Sequence, residues 1–247
     1  MINFLSKIKI LDCTLREGGY LNNWQFSPEE IQGYLDSLQK YNVNIAEIGF
    51  RYLKKDDNLG ICAYCPDEFI NNLQIPDNLQ IAVMIKAEQI RDEKDLHYLF
   101  TEKSNSRVDL VRVAVHYEKA WHYQRFIEIL KDKGYKVALN LTKLSQDSRI
   151  TVPDWETIDI LYFADTFGEL TPDDVKKFIN IIKQDYASEL GFHGHNNKGL
   201  ALQNTLSAIE YGVTYVDSTI NGVGKGAGNL KTEDLVWKSL DSLHKIR

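Results

Sequence analysis

The sequence predicts an α/β fold, a closed (β/α)₈ barrel forming a single domain over residues 1–247. Its 247 residues match the usual length of such a barrel. Short apolar runs of β-forming residues recur along the whole chain, separated by segments of helical period. Strands alternating with helices call for a parallel sheet, and eight repeats in this length call for closure. A doubly wound open sheet is the alternative, but the Gly-x-Gly-x-x-Gly turn expected after its first strand is missing.

The first apolar run is 8–13, Ile-Lys-Ile-Leu-Asp-Cys. Ser27-Pro28-Glu29-Glu30 then opens a helix, with a serine cap, proline in the first turn and acids set against the dipole. That helix reaches about Tyr41, and 45–50 is the second strand. Residues 51–78 are irregular, with one short helix around 66–72. The third strand, 80–85, precedes a charged helical stretch. The fourth, 110–115, precedes an amphipathic helix over 119–133, on which Trp121, His122, Tyr123 and Phe126 are expected to pack. The fifth strand is 135–141, followed by a poorly patterned region, and the sixth is 158–164. Thr171-Pro172-Asp173-Asp174 repeats the capping logic and starts a helix to about Asp185. The seventh strand begins near 187 and carries two histidines, with its helix over 200–211. The eighth is 214–218, and a glycine-rich loop leads to a last helix capped near Thr232.

Composition narrows the function classes. Hydrophobic residues make up 43% of the chain, enough for a full core. A net charge of −6 and a pI near 5.6, with no block of like charge, leave no basic footprint for nucleic acid. No run approaches the roughly 20 apolar residues of a membrane span. The stretch Met1–Lys7 is too short and polar for a signal peptide. Three cysteines give no disulfide framework. Cys62-Ala63-Tyr64-Cys65 lacks the second pair a structural zinc site needs. The expectation is a soluble cytoplasmic protein with small-molecule partners, neither nucleic acid nor membrane, and self-association into a homo-oligomer left open.

Chemistry in such barrels sits at the C-terminal ends of the strands. Those ends carry Asp12 through Tyr20, Glu47 and Gly49, His116, Asn140, Asp165-Thr166, His193 and His195, and Asp217-Ser218. His193 and His195 point the same way because strand side chains alternate. Two of only six histidines are thus aimed at one point, as a metal site requires, although two separate hydrogen bonds at a strand end explain them equally well. Strands one, seven and eight become neighbours on closure, so a carboxylate after strand one can face both imidazoles. Two histidines and one carboxylate leave open coordination positions, the arrangement of a catalytic metal.

Asp12-x-Thr14-Leu15-Arg16-Glu17-Gly18 and His193-x-His195-Asn196 resemble the metal-dependent aldolase and lyase superfamily, which includes 4-hydroxy-2-oxovalerate aldolase, 3-hydroxy-3-methylglutaryl-CoA lyase and the isopropylmalate and homocitrate synthases. Three further matches lie in order: Glu47-Ile48-Gly49, Asp165-Thr166-x-Gly168 with Pro172, and Gly222-x-Gly224 through Gly228-Asn229-Leu230-x-Thr232-Glu233-Asp234-Leu235. Arg112-Val113-Ala114-x-His116 and the short Gly-Gly-Tyr after the acid resemble the oxovalerate aldolase branch most.

The resemblance implies one divalent metal ion, manganese or magnesium before zinc, held by Glu17, His193 and His195 with Asn229 as an extra ligand. Most of the family has aspartate at position 17; the homocitrate synthases share the glutamate. Arg16 would meet the substrate's 2-oxo oxygen and Thr166 its carboxylate, with Asn140 a further substrate-binding candidate. The substrates implied are a 2-oxo acid and an aldehyde.

Some positions depart from the pattern. Tyr20 stands where such aldolases carry a histidine base, which leaves His116 or a metal-bound water for that role. The lyase's catalytic cysteine is missing from Val223-Gly224-Lys225-Gly226-Ala227, against acyl-CoA cleavage. The sequence stops after the eighth helix, short of the C-terminal parts of the oxovalerate aldolases and synthases. Asp12 is read as orienting Arg16 or capping the strand end, Glu47 as an acid–base group or a buried partner for a cation, and Asp217 as a turn stabiliser. The loop 222–228, with Lys225, is read either as a phosphate cradle or as a lid. The expected function is a metal-dependent C–C lyase acting beside a 2-oxo group. The alternative is a catalytically inactive metal- or ligand-binding barrel serving as an assembly subunit. A non-haem iron oxygenase would share the ligand set, and an amidohydrolase barrel would place its His-x-His after strand one.

Overall fold

Side chains alternate along β4 (Leu110–His116) in a way that shows how the molecule is built. Val111, Val113 and Val115 join the large apolar cluster between sheet and helices, whereas Leu110 belongs to a smaller cluster inside the sheet. Arg112, Ala114 and His116 share Leu110's face by the period of two. In the computed structural model, which describes residues 7–148, 157–186 and 188–244, eight parallel strands close into a barrel in chain order.

The strands are β1 (Lys9–Asp12), β2 (Ile45–Phe50), β3 (Gln80–Lys86), β4, β5 (Lys136–Thr142), β6 (Ile160–Asp165), β7 (Glu189–Gly194) and β8 (Tyr215–Ser218). The helices are α1 (Thr14–Asn22), α2 (Pro28–Lys40), α3 (Asp67–Asn71), α4 (Glu93–Leu99), α5 (Gln124–Asp132), α6 (Pro172–Asp185), α7 (Ala201–Glu210) and α8 (Thr232–His244). Closure pairs β1 with β8 through Leu11 opposite Asp217 and Asp12 opposite Ser218, which sets the end of β1 beside that of β8.

All eight predicted strands are present, most within two residues of their expected bounds. Ser27 and Thr171 each complete a capping box, with Glu30 and Asp174, and each is followed by proline. Two readings change. The segment after β1, to which the sequence assigns no element, is a helix, α1. The single helix expected over 119–133 divides into a 3₁₀ segment, Tyr117–Tyr123, and α5, with Trp121 (47% exposed) and His122 on the surface and Tyr123 and Phe126 half-buried against the core. Residues 1–6, the poorly patterned 149–156 and Ala187, the expected start of the seventh strand, lie outside the described residues. No described helix is long and apolar enough to cross a membrane.

Polar side chains close the far end of the barrel: Lys9 and Lys136 both donate to the Tyr215 hydroxyl, and Lys136 pairs with Glu189 at 3.0 Å. Toward the other end Ile45 and Glu47 lie on the inner face of β2, and a register shift after Glu47 sets Gly49 opposite Val83 of the outer cluster and Phe50 opposite Met84 on the cavity wall. A Cβ at Gly49 would fall 1.8 Å from the Cys62 carbonyl oxygen, so backbone would have to move. Gly49→Ala is therefore expected to lower stability by about 1–3 kcal/mol in urea unfolding, the usual range for overpacking; an unchanged midpoint would show that the 61–63 segment yields freely.

Candidate active site

Arg16, Glu17 and Tyr20 reach the rim because α1 begins one residue after β1 ends. Asp12 fixes that corner. Its Oδ1 accepts from the Thr14 N–H at 2.9 Å and from the Tyr34 hydroxyl at 3.0 Å, and its Oδ2 accepts from Thr232 at 2.6 Å. Burial raises its pKa against the opposing effect of these hydrogen bonds. Asp12 thus ties α1, α2 and the start of α8 together, and the carboxylate that orients Arg16 is Glu47 instead.

Six side chains form a ring, three carboxylates alternating with two guanidiniums and closed by the His193 imidazole. Arg16 donates from Nη1 to Glu17 and from Nε to Glu47 Oε2 at 2.5 Å. Glu47 Oε2 lies 3.1 Å from Arg112 Nη1, and Arg112 Nη2 donates to Asp217 Oδ2 at 2.6 Å. That same oxygen lies 2.8 Å from His193 Nδ1, and His193 Nε2 is 3.9 Å from Glu17 Oε1. Glu47, Arg112 and Asp217 are almost wholly buried. Burial opposes the Arg112 charge, but Asp217 and Glu47 outweigh it and raise the pKa. The same balance, struck by Arg112 and His193, keeps Asp217 below its ordinary value. Arg112 also lies 4.3 Å from the Tyr162 ring centroid, and that ring fills the space a Cβ at Gly191 would need. Asp217 therefore does more than stabilise a turn, and Glu47 is a buried partner for two cations.

Both imidazoles are anchored through Nδ1, His193 on Asp217 and His195 on the Asp165 main-chain oxygen at 2.8 Å. Such an anchor fixes the tautomer and leaves Nε2 as the ligating nitrogen. Glu17, His193 and His195 each offer a ligand atom within 4.8 Å of the others. Burial, then the neighbouring His193, pushes His195 down to about 4, so its imidazole is neutral at neutral pH. Asn229 sits opposite His195 in a short antiparallel bridge. Its amide donates to Val223 at 2.8 Å, and its buried Oδ1 has no hydrogen-bond partner among the described residues. This donor set fits a divalent cation.

The ligand set faces a cavity of about 330 Å³, lined also by Arg16, Tyr20, His116, Asn140 and Thr166. Burial pushes the Tyr20 phenol up to about 12, so at neutral pH it keeps its proton. His116 Nδ1 accepts from the Glu118 N–H at 3.3 Å, which leaves its Nε2–H as donor. Thr166 Oγ1 accepts from the Lys143 N–H at 2.7 Å, and the buried Asn140 Oδ1 has no hydrogen-bond partner among the described residues. Lys86 and Lys143 also line the cavity and are not singled out by the sequence, and Arg112, quoted there only within a motif, lines it as well. Lys86 and Arg112 could have been found by counting in twos along β3 and β4 from Ala82 and Leu110, their companions on the inner face.

The fold and the site define a closed parallel barrel whose strand ends bring two histidines and a carboxylate together as a ligand set for a catalytic metal. Comparison with known proteins narrows that class: the HMGL-like family pattern covers residues 7–240, and the chain belongs to this family. It is 34% identical over 244 residues to 4-hydroxy-2-oxovalerate aldolase of Carboxydothermus hydrogenoformans, covering 93% of this chain and 70% of the relative. It is 26% identical to oxaloacetate decarboxylase of Mycobacterium tuberculosis, covering 92% of this chain and 68% of the relative. Among solved structures, the N-terminal domain of a proposed aldolase from Bacteroides vulgatus superposes with a TM-score of 0.88 at 29% identity, over 97% of this chain and 81% of that one.

Proposed function

We propose that the protein is a divalent-metal-dependent aldolase that cleaves or forms the C3–C4 bond of a 4-hydroxy-2-oxo acid, with pyruvate and an aldehyde as the other side of the reaction. The observation that carries this reading is the convergence of Glu17, His193 and His195 with Arg16 on one cavity wall. Glu17, the two Nε2 atoms and Asn229 Oδ1 would hold the cation. Their oxygens suit manganese or magnesium and their imidazoles also suit zinc. Bound there, the ion would supply Lewis acidity at the 2-oxo group.

Arg16 has Nε and Nη1 taken by Glu47 and Glu17, so Nη2 is the donor it can offer substrate. When C3–C4 breaks, the bonding pair moves onto C3 and the C2 oxygen while the C4 hydroxyl proton passes to water. A fixed guanidinium at the C2 oxygen stabilises that charge without reorganisation. In this reading Thr166 takes the substrate carboxylate, and His116 and Tyr20, both donors in this state, take the aldehyde oxygen. Protonation at C3 then gives pyruvate. The proposal takes residues 1–247 as one catalytic domain. The free, buried cysteines support a reducing, cytoplasmic setting.

Chelation followed by dialysis is expected to abolish deuterium exchange at C3 of pyruvate, with manganese, magnesium or zinc restoring it to different degrees. Full exchange after thorough chelation would sink the proposal. Oxaloacetate, which leaves the same enolate on losing carbon dioxide, belongs in the same assay.

A further inference from the structure

Part of the cavity is not used by the chemistry above. Lys86, the last residue of β3, is half-buried with Nζ 4.9 Å from the Phe50 ring centroid, 5.2 Å from that of Tyr52 and 5.5 Å from that of Tyr20. Its ammonium makes no hydrogen bond and pairs with no carboxylate among the described residues. Aromatic faces hold a cation in place without cancelling its charge. Lys225 comes to the same ring from the other side of the chain, its Nζ 3.7 Å from the Tyr20 centroid. It rides on the glycine-rich loop after β8, where Gly222, Gly226 and Gly228 adopt the left-handed backbone that glycine favours.

Two ammonium groups gathered at one phenol ring repel each other unless an anion comes between them. Burial, then Lys225 and Arg16, hold Lys86 below its ordinary value, and Glu17 opposes them only in part. Glu88 does not supply the counter-charge: it is exposed and reaches only as far as Lys119, at 4.0 Å. Nor does the pyruvate half of the reaction, since its single carboxylate is accounted for beside Thr166 and Arg16.

We infer that the acceptor is an aldehyde bearing its own anionic group, a carboxylate or a phosphate, held between Lys86 and Lys225 beside Tyr20. The inference rests on the aldolase reading and deepens it. In the condensing direction C3 of pyruvate loses a proton and bonds to the aldehyde carbon, whose oxygen takes up a proton. The acceptor's anionic group passes through unchanged and serves only to place it.

Condensation of pyruvate with glyoxylate, glyceraldehyde 3-phosphate and acetaldehyde tests this, the first two arms separating carboxylate from phosphate. In the wild type, kcat/KM for one anionic acceptor is expected to exceed that for acetaldehyde at least tenfold, and its KM alone should climb with salt. Lys86→Met should cost that acceptor tenfold or more and acetaldehyde less than threefold, with Lys86→Arg recovering most of the loss. Lys225→Met, on an exposed loop, should move the ratio the same way and stands in if Lys86→Met does not fold. Equal efficiency with all three acceptors, an equal loss on acetaldehyde, or borohydride trapping of substrate on Lys86 would each overturn the subsite. Pyruvate C3 exchange needs no acceptor and separates the two ideas: without exchange the aldolase reading fails, whereas exchange with no preference for an anionic acceptor removes the subsite alone.

Discussion

Arg16→Met is expected to lower pyruvate C3 exchange by about 10²–10³-fold, the usual cost of removing a fixed donor from a developing oxyanion. The substitution removes the one cation that touches both Glu17 and Glu47. Arg16→Lys keeps the charge but lacks the planar fork that serves two carboxylates at once, so it should recover little. Proton NMR in deuterium oxide reads the exchange, and a thermal melt of each variant separates lost chemistry from lost structure. Folded Arg16→Met protein exchanging within threefold of wild type would remove Arg16 from the mechanism.

Arg112→Met should produce the largest loss of stability in the barrel. It leaves Glu47 and Asp217 buried with one cation fewer, and breaking a buried pair from one side costs about 3–5 kcal/mol. For a chain of this size that corresponds to a drop in Tm on the order of 10 °C. Adding Glu47→Gln should restore part of the loss, because one of the two stranded charges goes with it. Strict additivity of the two changes, or a Tm shift under roughly 2 °C for Arg112→Met, would show that the ring of charges does not stabilise the fold.

Much of the architecture was legible because strand period and capping are local signals. The boxes at Ser27 and Thr171 are written in four consecutive residues, and both helices begin where those residues place them. The helix after β1 carries no such signal, since Cys13 gives its start no side-chain cap and Gly18-Gly19 are poor helix formers. Gly19 is there for a different reason: a Cβ would stand 1.9 Å from the Trp24 ring, so the helix is pinned from outside its own sequence. The rim residues were also legible, since strand ends can be counted. Their pairings were not. Asp217 lies 105 residues from Arg112 and 24 from His193, and only closure of the barrel brings the three together. The dangling end of Lys86 was hidden likewise, for its three aromatic neighbours come from the end of β2 and from α1.

The two imidazole anchors differ in kind, and this bears on how the centre can change over many generations. The orientation of His193 depends on a carboxyl side chain, which one codon change can delete, with Arg112 losing one of its two carboxylate partners at the same stroke. The orientation of His195 depends on a peptide carbonyl, which every amino acid supplies at that position. Drift therefore has one easy point of entry into this centre and one that is closed. Descendants that abandon catalysis should show it first at the residue beneath His193, while the bearing of His195 persists in barrels that have lost the activity.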